Sequence, residues 1–405
     1  MRPTRIRMRR ACVAAAAAGL LITPALAGSA YGATAQASSA SAAPSPSGDT
    51  EFPQLTPAVA ARLDAAIRQV MDLTKVPGVT VGLWAPGKGS YVKSFGVADK
   101  ATGAPMTPDL GVRIGSETKT FTVTALLQLV DQGKLALDDP IGKYISGVPN
   151  GDRITLRELA GMRSGLFNYS EDPGFDAKIT SVFTPQQLLD ISFKHPVNFE
   201  PGAKFEYSNT NLILLGLLVE KITGRPLHEV IAQDVVKPAG LSERTVLARG
   251  TDFPEPHANG YTNDLPGGKI VDATHLDPSW AWAAGAMASD LQDLRSWAKT
   301  LATGTLLTPA TQAERLKTQP IGIIPGDGYG LGIFNVQGWL GHNGSLPGYE
   351  TLTVYLPEEQ ATMVVLLTTD DLHKGQEPST LFGEAVTNVV TPSHLYPGHK
   401  PVETK

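Results

Sequence analysis

The chain has 405 residues, 42% hydrophobic and 18% charged, enough for one large or two modest domains and too apolar for a largely disordered chain. Lys and Arg number 34 against 39 Asp and Glu, a net charge of −5, so there is no basic excess to neutralise a phosphate backbone and nucleic acid is not an expected partner. The one cysteine, Cys12, excludes a disulfide scaffold, a CxxC redox site and Cys-ligated zinc within one chain.

The first 27 residues read as an export signal. Arg2, Arg5, Arg7, Arg9 and Arg10 form a positive head, residues 11–22 are an apolar run too short to span a bilayer, and Ala25-Leu26-Ala27 has the small-x-small form of a cleavage site. The expected mature protein is secreted, with no membrane anchor. Residues 28–55 are rich in Ala, Ser and Pro and read as a linker that cannot bury a core. The folded part is expected over 56–390, with a polar tail over 391–405.

Positions 57–75 have helical spacing, with Val59, Leu63, Ile67 and Val70 on one face. Residues 79–84 and 91–97 are β-rich and joined by Pro86-Gly87-Lys88-Gly89, which predicts a hairpin. Helical patterns follow at 118–135, 156–160, 185–193, 211–222, 227–235 and 291–301. Strand character returns at 329–337, 350–356 and 362–368, and a last helix is predicted at 380–390. The terminal segments thus supply an antiparallel sheet with N- and C-terminal helices, and an all-helical lobe is inserted between them. That is an α+β fold with a cleft where the lobes meet.

Several chemistries lack their residues. No serine sits in Gly-x-Ser-x-Gly, and His228-Glu229 is followed by Ala232 where a zinc-binding HExxH needs histidine. No Walker A or GxGxxG follows a strand, so no metal and no cofactor is expected. What stands out is Ser116-x-x-Lys119 at the start of the strongest helix. Residues i and i+3 share a helix face, so Lys119 can reach the Ser116 hydroxyl. A serine is a poor nucleophile until a base takes its proton, and a desolvated lysine can be that base. Free amides at a helix N-terminus can also stabilise an oxyanion. The pattern recurs at Ser296-x-x-Lys299, on what reads as a solvated helix face.

Two further motifs lie at element boundaries. Tyr207-Ser208-Asn209 offers a phenol, which a cationic pocket can make more acidic, and a side-chain amide for a substrate carbonyl. His342-Asn343-Gly344, followed by Ser345, sits among the late strands. Tyr261-Thr262-Asn263 and His373-Lys374-Gly375 are weaker copies of these two.

Taken together, Ser116-x-x-Lys119, Tyr207-x-Asn209 and His342-x-Gly344 resemble the active-serine set of penicillin-recognising enzymes. The likeness is to class C β-lactamases and secreted D-alanyl-D-alanine carboxypeptidases with a His-x-Gly third motif. It covers about residues 56–390 and extends to whole segments such as Arg163-Ser164-Gly165-Leu166 and Tyr329-Gly330-Leu331-Gly332. The resemblance implies that Ser116 is acylated and that Lys119 and Tyr207 share the proton work. It implies that Asn209 and His342 contact substrate and tune Tyr207, that the amides of Ser116 and Ser345 form an oxyanion hole beside Gly344, and that Trp280 lines the cleft. The implied substrate is a small peptide, ester or β-lactam, and the expected state is a monomer. Two departures bear on specificity. Asn343 stands where the carboxypeptidases have threonine, and Phe334 stands where they carry an arginine. A carboxypeptidase-like peptidase on cell-wall-type peptides is the leading expectation. A β-lactamase, esterase or D-amino-acid peptidase or amidase of the same family stands beside it, and a non-catalytic penicillin- or peptidoglycan-peptide-binding protein is the alternative of another class.

Overall fold

Helix α1 (Pro57–Thr74) starts where the Thr56 hydroxyl accepts from the Val59 amide and Pro57 pre-sets the first turn. It ends at Lys75, which adopts the left-handed conformation at φ 61°. Between these caps Leu63, Ile67 and Val70 recur on one face and are buried. The structure is a computed structural model that describes residues 52–322 and 326–397. The expected export signal and nearly all of the linker lie outside those residues.

The face of α1 packs on one antiparallel sheet of eight strands. These are β1 (Gly78–Ala85), β2 (Gly89–Gly96), β3 (Gln319–Pro320), β4 (Gly328–Tyr329), β5 (Phe334–Val336), β6 (Trp339–Leu346), β7 (Tyr349–Leu356) and β8 (Ala361–Leu367). Their order is β2-β1-β8-β7-β6-β5-β4-β3. The first hairpin and the C-terminal strands therefore meet at β1 and β8, pairing Val79 with Leu367 and Val81 with Val365.

The period of two along a strand builds two cores. On β8, Met363, Val365 and Leu367 join α1 and the C-terminal helix, whereas Val364 and Leu366 join the core of the inserted lobe. Both faces are covered, so the strand reads as an unbroken apolar run rather than an alternating one. Each such side chain contributes about 1.5–3 kcal/mol when fully buried.

The insert between β2 and β3 contains α2 (Thr118–Asp131), α3 (Asn209–Thr223) and α4 (Leu291–Thr303). Helix α2 is enclosed on nearly every side. Its buried threonines are satisfied locally: Thr122 donates to the Ala283 carbonyl at 2.8 Å, and Thr120 accepts from the Trp297 indole at 2.8 Å. The insert is not all-helical as expected. Val112–Arg113, Met287–Ser289 and Val246–Leu247 form a small sheet, and Tyr261–Thr262 pairs with Val271–Asp272. Strands of two or three residues are too short to leave a periodicity in the sequence. The predicted strand at 329–337 is likewise split into β4 and β5 by a turn through Gly332, at φ 66°.

The packed chain also reaches past the expected boundaries. Phe52 is fully buried, and Tyr396, beyond helix α5 (Pro378–Val390), lies in the same core. The Trp339 indole donates to the His394 carbonyl at 2.8 Å, which ties that segment to β6.

Candidate active site

The chain enters the site along the short strand Val112–Arg113, turns at Gly115 and passes through the 3-10 turn Gly115–Glu117 into α2. Gly115 has φ 48°, and a Cβ there would stand 2.6 Å from the Ser345 backbone nitrogen. A Cβ on Gly344 would stand 1.9 Å from the Ile114 carbonyl oxygen. Two glycines thus let the β6 backbone lie directly on the turn that carries Ser116. Beyond β5, whose last partner on β6 is Gly341, the stretch His342–Leu346 is flanked on that side by the Ser116 turn rather than by a strand.

Lys119 is fully buried one helical turn beyond Ser116. Its Nζ lies 2.9 Å from Ser116 Oγ and donates to the Ala284 carbonyl at 2.7 Å. Burial holds its pKa well below the ordinary lysine value, toward the free amine. The ring of Tyr207, just before α3, has its centroid 4.8 Å from the same Nζ. Burial pushes the Tyr207 hydroxyl upward, and a hydrogen bond with Ser116 works the other way. This is opposite to the lowering expected from a cationic pocket. The physical reason is that the phenol itself is buried, and desolvation opposes its ionised form more strongly than its neighbours favour it. Burial therefore favours a neutral pair, amine and phenol, on either side of the serine.

His342 is buried on β6, with ring centroids 6.3 Å from Tyr207 and 4.8 Å from Phe334. Its Nδ1 meets the Asn343 carbonyl, which can only accept, so Nδ1 carries the proton and Nε2 accepts from the Tyr329 hydroxyl at 3.3 Å. Burial lowers its pKa to about 3, which keeps the imidazole neutral. Its link to Tyr207 is ring packing through Tyr329, not a hydrogen bond.

The remaining expected residues divide. Ser345 is exposed at the cleft edge, and Asn209 is partly exposed at the start of α3. The Asn209 amide donates to Ser170 Oγ at 3.2 Å, and its backbone N–H donates to Asn168 Oδ1 at 3.1 Å. Trp280 is buried edge-on to Phe175, and its carbonyl accepts from Tyr169, so it forms part of the wall. Asn343 is tied elsewhere: its Nδ2 donates to Glu377 Oε2 at 2.6 Å. Arg113, a conceivable source of positive charge, is buried with its guanidinium on the Thr274 carbonyl and over the Phe253 ring.

The decoys lie apart. Ser296 and Lys299 are exposed on α4, and Tyr261 bonds to the Lys100 amide. The sequence motifs do not single out Ala284, Tyr329, Ser170 or Glu377 as site residues. Only Tyr329 leaves a trace there, in Tyr329-Gly330-Leu331-Gly332. Among the described residues no group of three His, Cys, Asp or Glu side chains is arranged to hold a metal ion. None of their helices is long and apolar enough to cross a membrane.

The family model for Beta-lactamase matches residues 63–382. A D-aminopeptidase of Brucella anthropi is 28% identical over 313 residues, which cover 75% of this chain and 58% of that protein. The matched stretch therefore spans about three-fifths of that relative's length. A D-stereospecific amidohydrolase from Streptomyces sp. has 33% identity and a TM-score of 0.69, covering 76% of this chain and 94% of that one. D-amino acid amidase from Ochrobactrum anthropi SV3, solved with L-phenylalanine amide, has 29% identity and a TM-score of 0.70 and covers 80% and 99%.

Proposed function

The chain belongs to the Beta-lactamase family, and on that premise we propose that it is an exported serine hydrolase that works through an acyl-enzyme on D-configured amides or short peptides. The observation that carries the chemistry is the 2.9 Å approach of the buried Lys119 amine to the Ser116 hydroxyl. In this reading Ser116 Oγ attacks the substrate carbonyl carbon, and its proton passes to the free amine of Lys119. The Ser116 and Ser345 amides hold the oxyanion. As the C–N bond breaks, Tyr207 delivers a proton to the departing nitrogen and regains one from Lys119. Water then attacks the acyl carbon and loses a proton to the same pair, and as the C–Oγ bond breaks the pair returns that proton to Ser116 Oγ and the acid departs. His342 stays neutral and fixes Tyr329 beneath Tyr207.

The substrate class is taken from the D-aminopeptidase and D-amino acid amidase relatives. A D-alanyl-D-alanine carboxypeptidase is the second reading, favoured by the same three motifs but not by the residues around Asn343. Export rests on the N-terminal sequence alone.

The test is intact mass followed over time with a D-amino acid amide, a D-Ala-D-Ala peptide, a short-chain ester and a penicillin. Ser116→Ala should abolish both turnover and covalent labelling while keeping the fold, and Ser296→Ala should change neither. Labelling that persists in Ser116→Ala protein defeats the assignment.

A further inference from the structure

The side chain of the third motif's middle residue does not stand free for a substrate. Asn343 Nδ2 donates to Glu377 Oε2 at 2.6 Å, a short bond of the kind formed to an ionised acceptor. Asn343 follows His342 and precedes by two residues Ser345, whose backbone nitrogen abuts the Ser116 turn. At about 3.3 Å per residue, the strand position that holds Glu377 is roughly 7 Å from that oxyanion donor. Both Asn343 and Glu377 keep partial exposure. Where penicillin-recognising carboxypeptidases are expected to place positive charge, this site has Phe334 packed on His342, and Arg113 is spent on the Thr274 carbonyl.

We propose that Glu377, held by Asn343 beside the third motif, sets specificity at the leaving end of the substrate. It disfavours a free carboxylate there and favours a neutral carboxamide or a positively charged group. The inference rests on the serine-hydrolase reading above and names the residue that decides between its two substrate classes.

The charge sits on Glu377 for a physical reason. Its neighbour Glu350 is fully buried, and burial together with the Glu377 charge drives its carboxyl far above the ordinary range. Burial raises the Glu377 carboxyl too, and the hydrogen bond from the Asn343 amide works the other way. Glu350 is enclosed, whereas Glu377 is partly exposed and accepts from the Asn343 amide at 2.6 Å, so a negative charge on the pair is better accommodated on Glu377. That charge also raises the Tyr207 hydroxyl, which means it is felt at the catalytic pair. A carboxylate brought beside it would meet like charge in a poorly hydrated setting, whereas a carboxamide would not.

The experiment compares kcat/KM for one peptide ending in D-Ala-D-Ala and for its C-terminal carboxamide, in wild type, Glu377→Gln and Glu377→Asp, at low and high salt. Wild type should prefer the carboxamide by at least tenfold. Glu377→Gln, which keeps the shape and can still bond to Asn343, should raise the free-acid rate at least tenfold and change the carboxamide rate less than threefold. Glu377→Asp should restore the wild-type preference. A purely structural Glu377 would lower both rates together and leave their ratio unmoved, and that result overturns the proposal. If neither peptide turns over, the same ratio is read from the rates at which a penicillin and its neutral methyl ester label Ser116. Labelling by neither reagent removes the serine-hydrolase reading and the subsite with it. Labelling by both at rates that Glu377→Gln leaves in the same ratio removes the subsite alone.

Discussion

Gly115→Ala tests the close approach on which the proposed oxyanion hole depends. Two costs follow from the geometry. The residue sits at φ 48°, where an alanine pays about 1–2 kcal/mol for the left-handed conformation. Its new Cβ would also lie 2.6 Å from the Ser345 nitrogen, 2.8 Å from its oxygen and 2.9 Å from its carbonyl carbon. All three atoms are backbone of β6, which is held on its other side by seven paired positions of β7, so none can swing aside as a side-chain tip would. Ordinary contact begins at 3.4 Å, so the Ser116 turn and β6 must part by about 0.8 Å. A misplacement of about 1 Å costs on the order of a hundredfold in rate. The expected result is a fall of about two decades in kcat/KM and a loss of a few degrees in Tm. Gly133→Ala is the matched control. It lies just past the end of the same helix at φ 67°, and a Cβ added there would meet nothing within 4 Å, so it should lose similar stability and no activity. Steady-state kinetics on the best substrate and thermal melts of both variants decide it. Gly115→Ala protein within threefold of wild type would show that the approach of Ser345 to the turn is not needed, and the assignment of its amide would fall.

The pairing of Ser116 with Lys119 is readable from the chain because it is local. One helical turn separates the residues, and the helix start is marked by Gly115. The decoy at Ser296 is separable by the amphipathic pattern of α4, which puts it in solvent. The sheet with its two terminal helices is legible for a similar reason: long apolar runs and caps survive any tertiary setting. Other features are set by topology and leave no local mark. That His342 is neutral follows from burial under Tyr329 and Phe334 at the sheet edge. That Tyr207 is pushed up rather than down follows from burial of the phenol itself. The Asn343–Glu377 bond joins residues 34 apart, with β7 and β8 between them, and neither sequence context hints at the other. Phe52 and Tyr396 lie in stretches whose small and polar neighbours outweigh a single aromatic in any composition count, although each buries its ring in the same core.

Three further expectations concern protons. Tyr207→Phe removes one oxygen beside Ser116 and should lower kcat/KM by about two to four decades; a fall under threefold would leave Lys119 to carry the proton alone. Because burial holds Lys119 well below its ordinary value of 10.5, the rising limb of activity with pH should level off well before that value. A rate still climbing steadily toward pH 10 would mean that the amine is protonated in the resting enzyme. The last concerns Glu117, between the serine and the lysine. It is fully buried, and burial raises its carboxyl to about 8 from an ordinary 4.5. A carboxyl whose folded pKa is raised keeps its proton in the native state, whereas the unfolded chain gives it up above about 4.5. Its contribution to stability is therefore intact in acid and is lost as pH rises between those two values. Each pH unit across that window costs about 1.4 kcal/mol. Glu117→Gln cannot titrate and should gain on wild type by about 3 kcal/mol between pH 5 and pH 8. Asp370 and Glu350 titrate with the same sign and His342 with the opposite one, but they are present in both proteins and cancel in the difference. Chemical denaturation of the two proteins at pH 5, 6.5 and 8 measures that difference. If it does not change with pH, Glu117 is ionised in the folded protein, and burial does not hold its proton as argued.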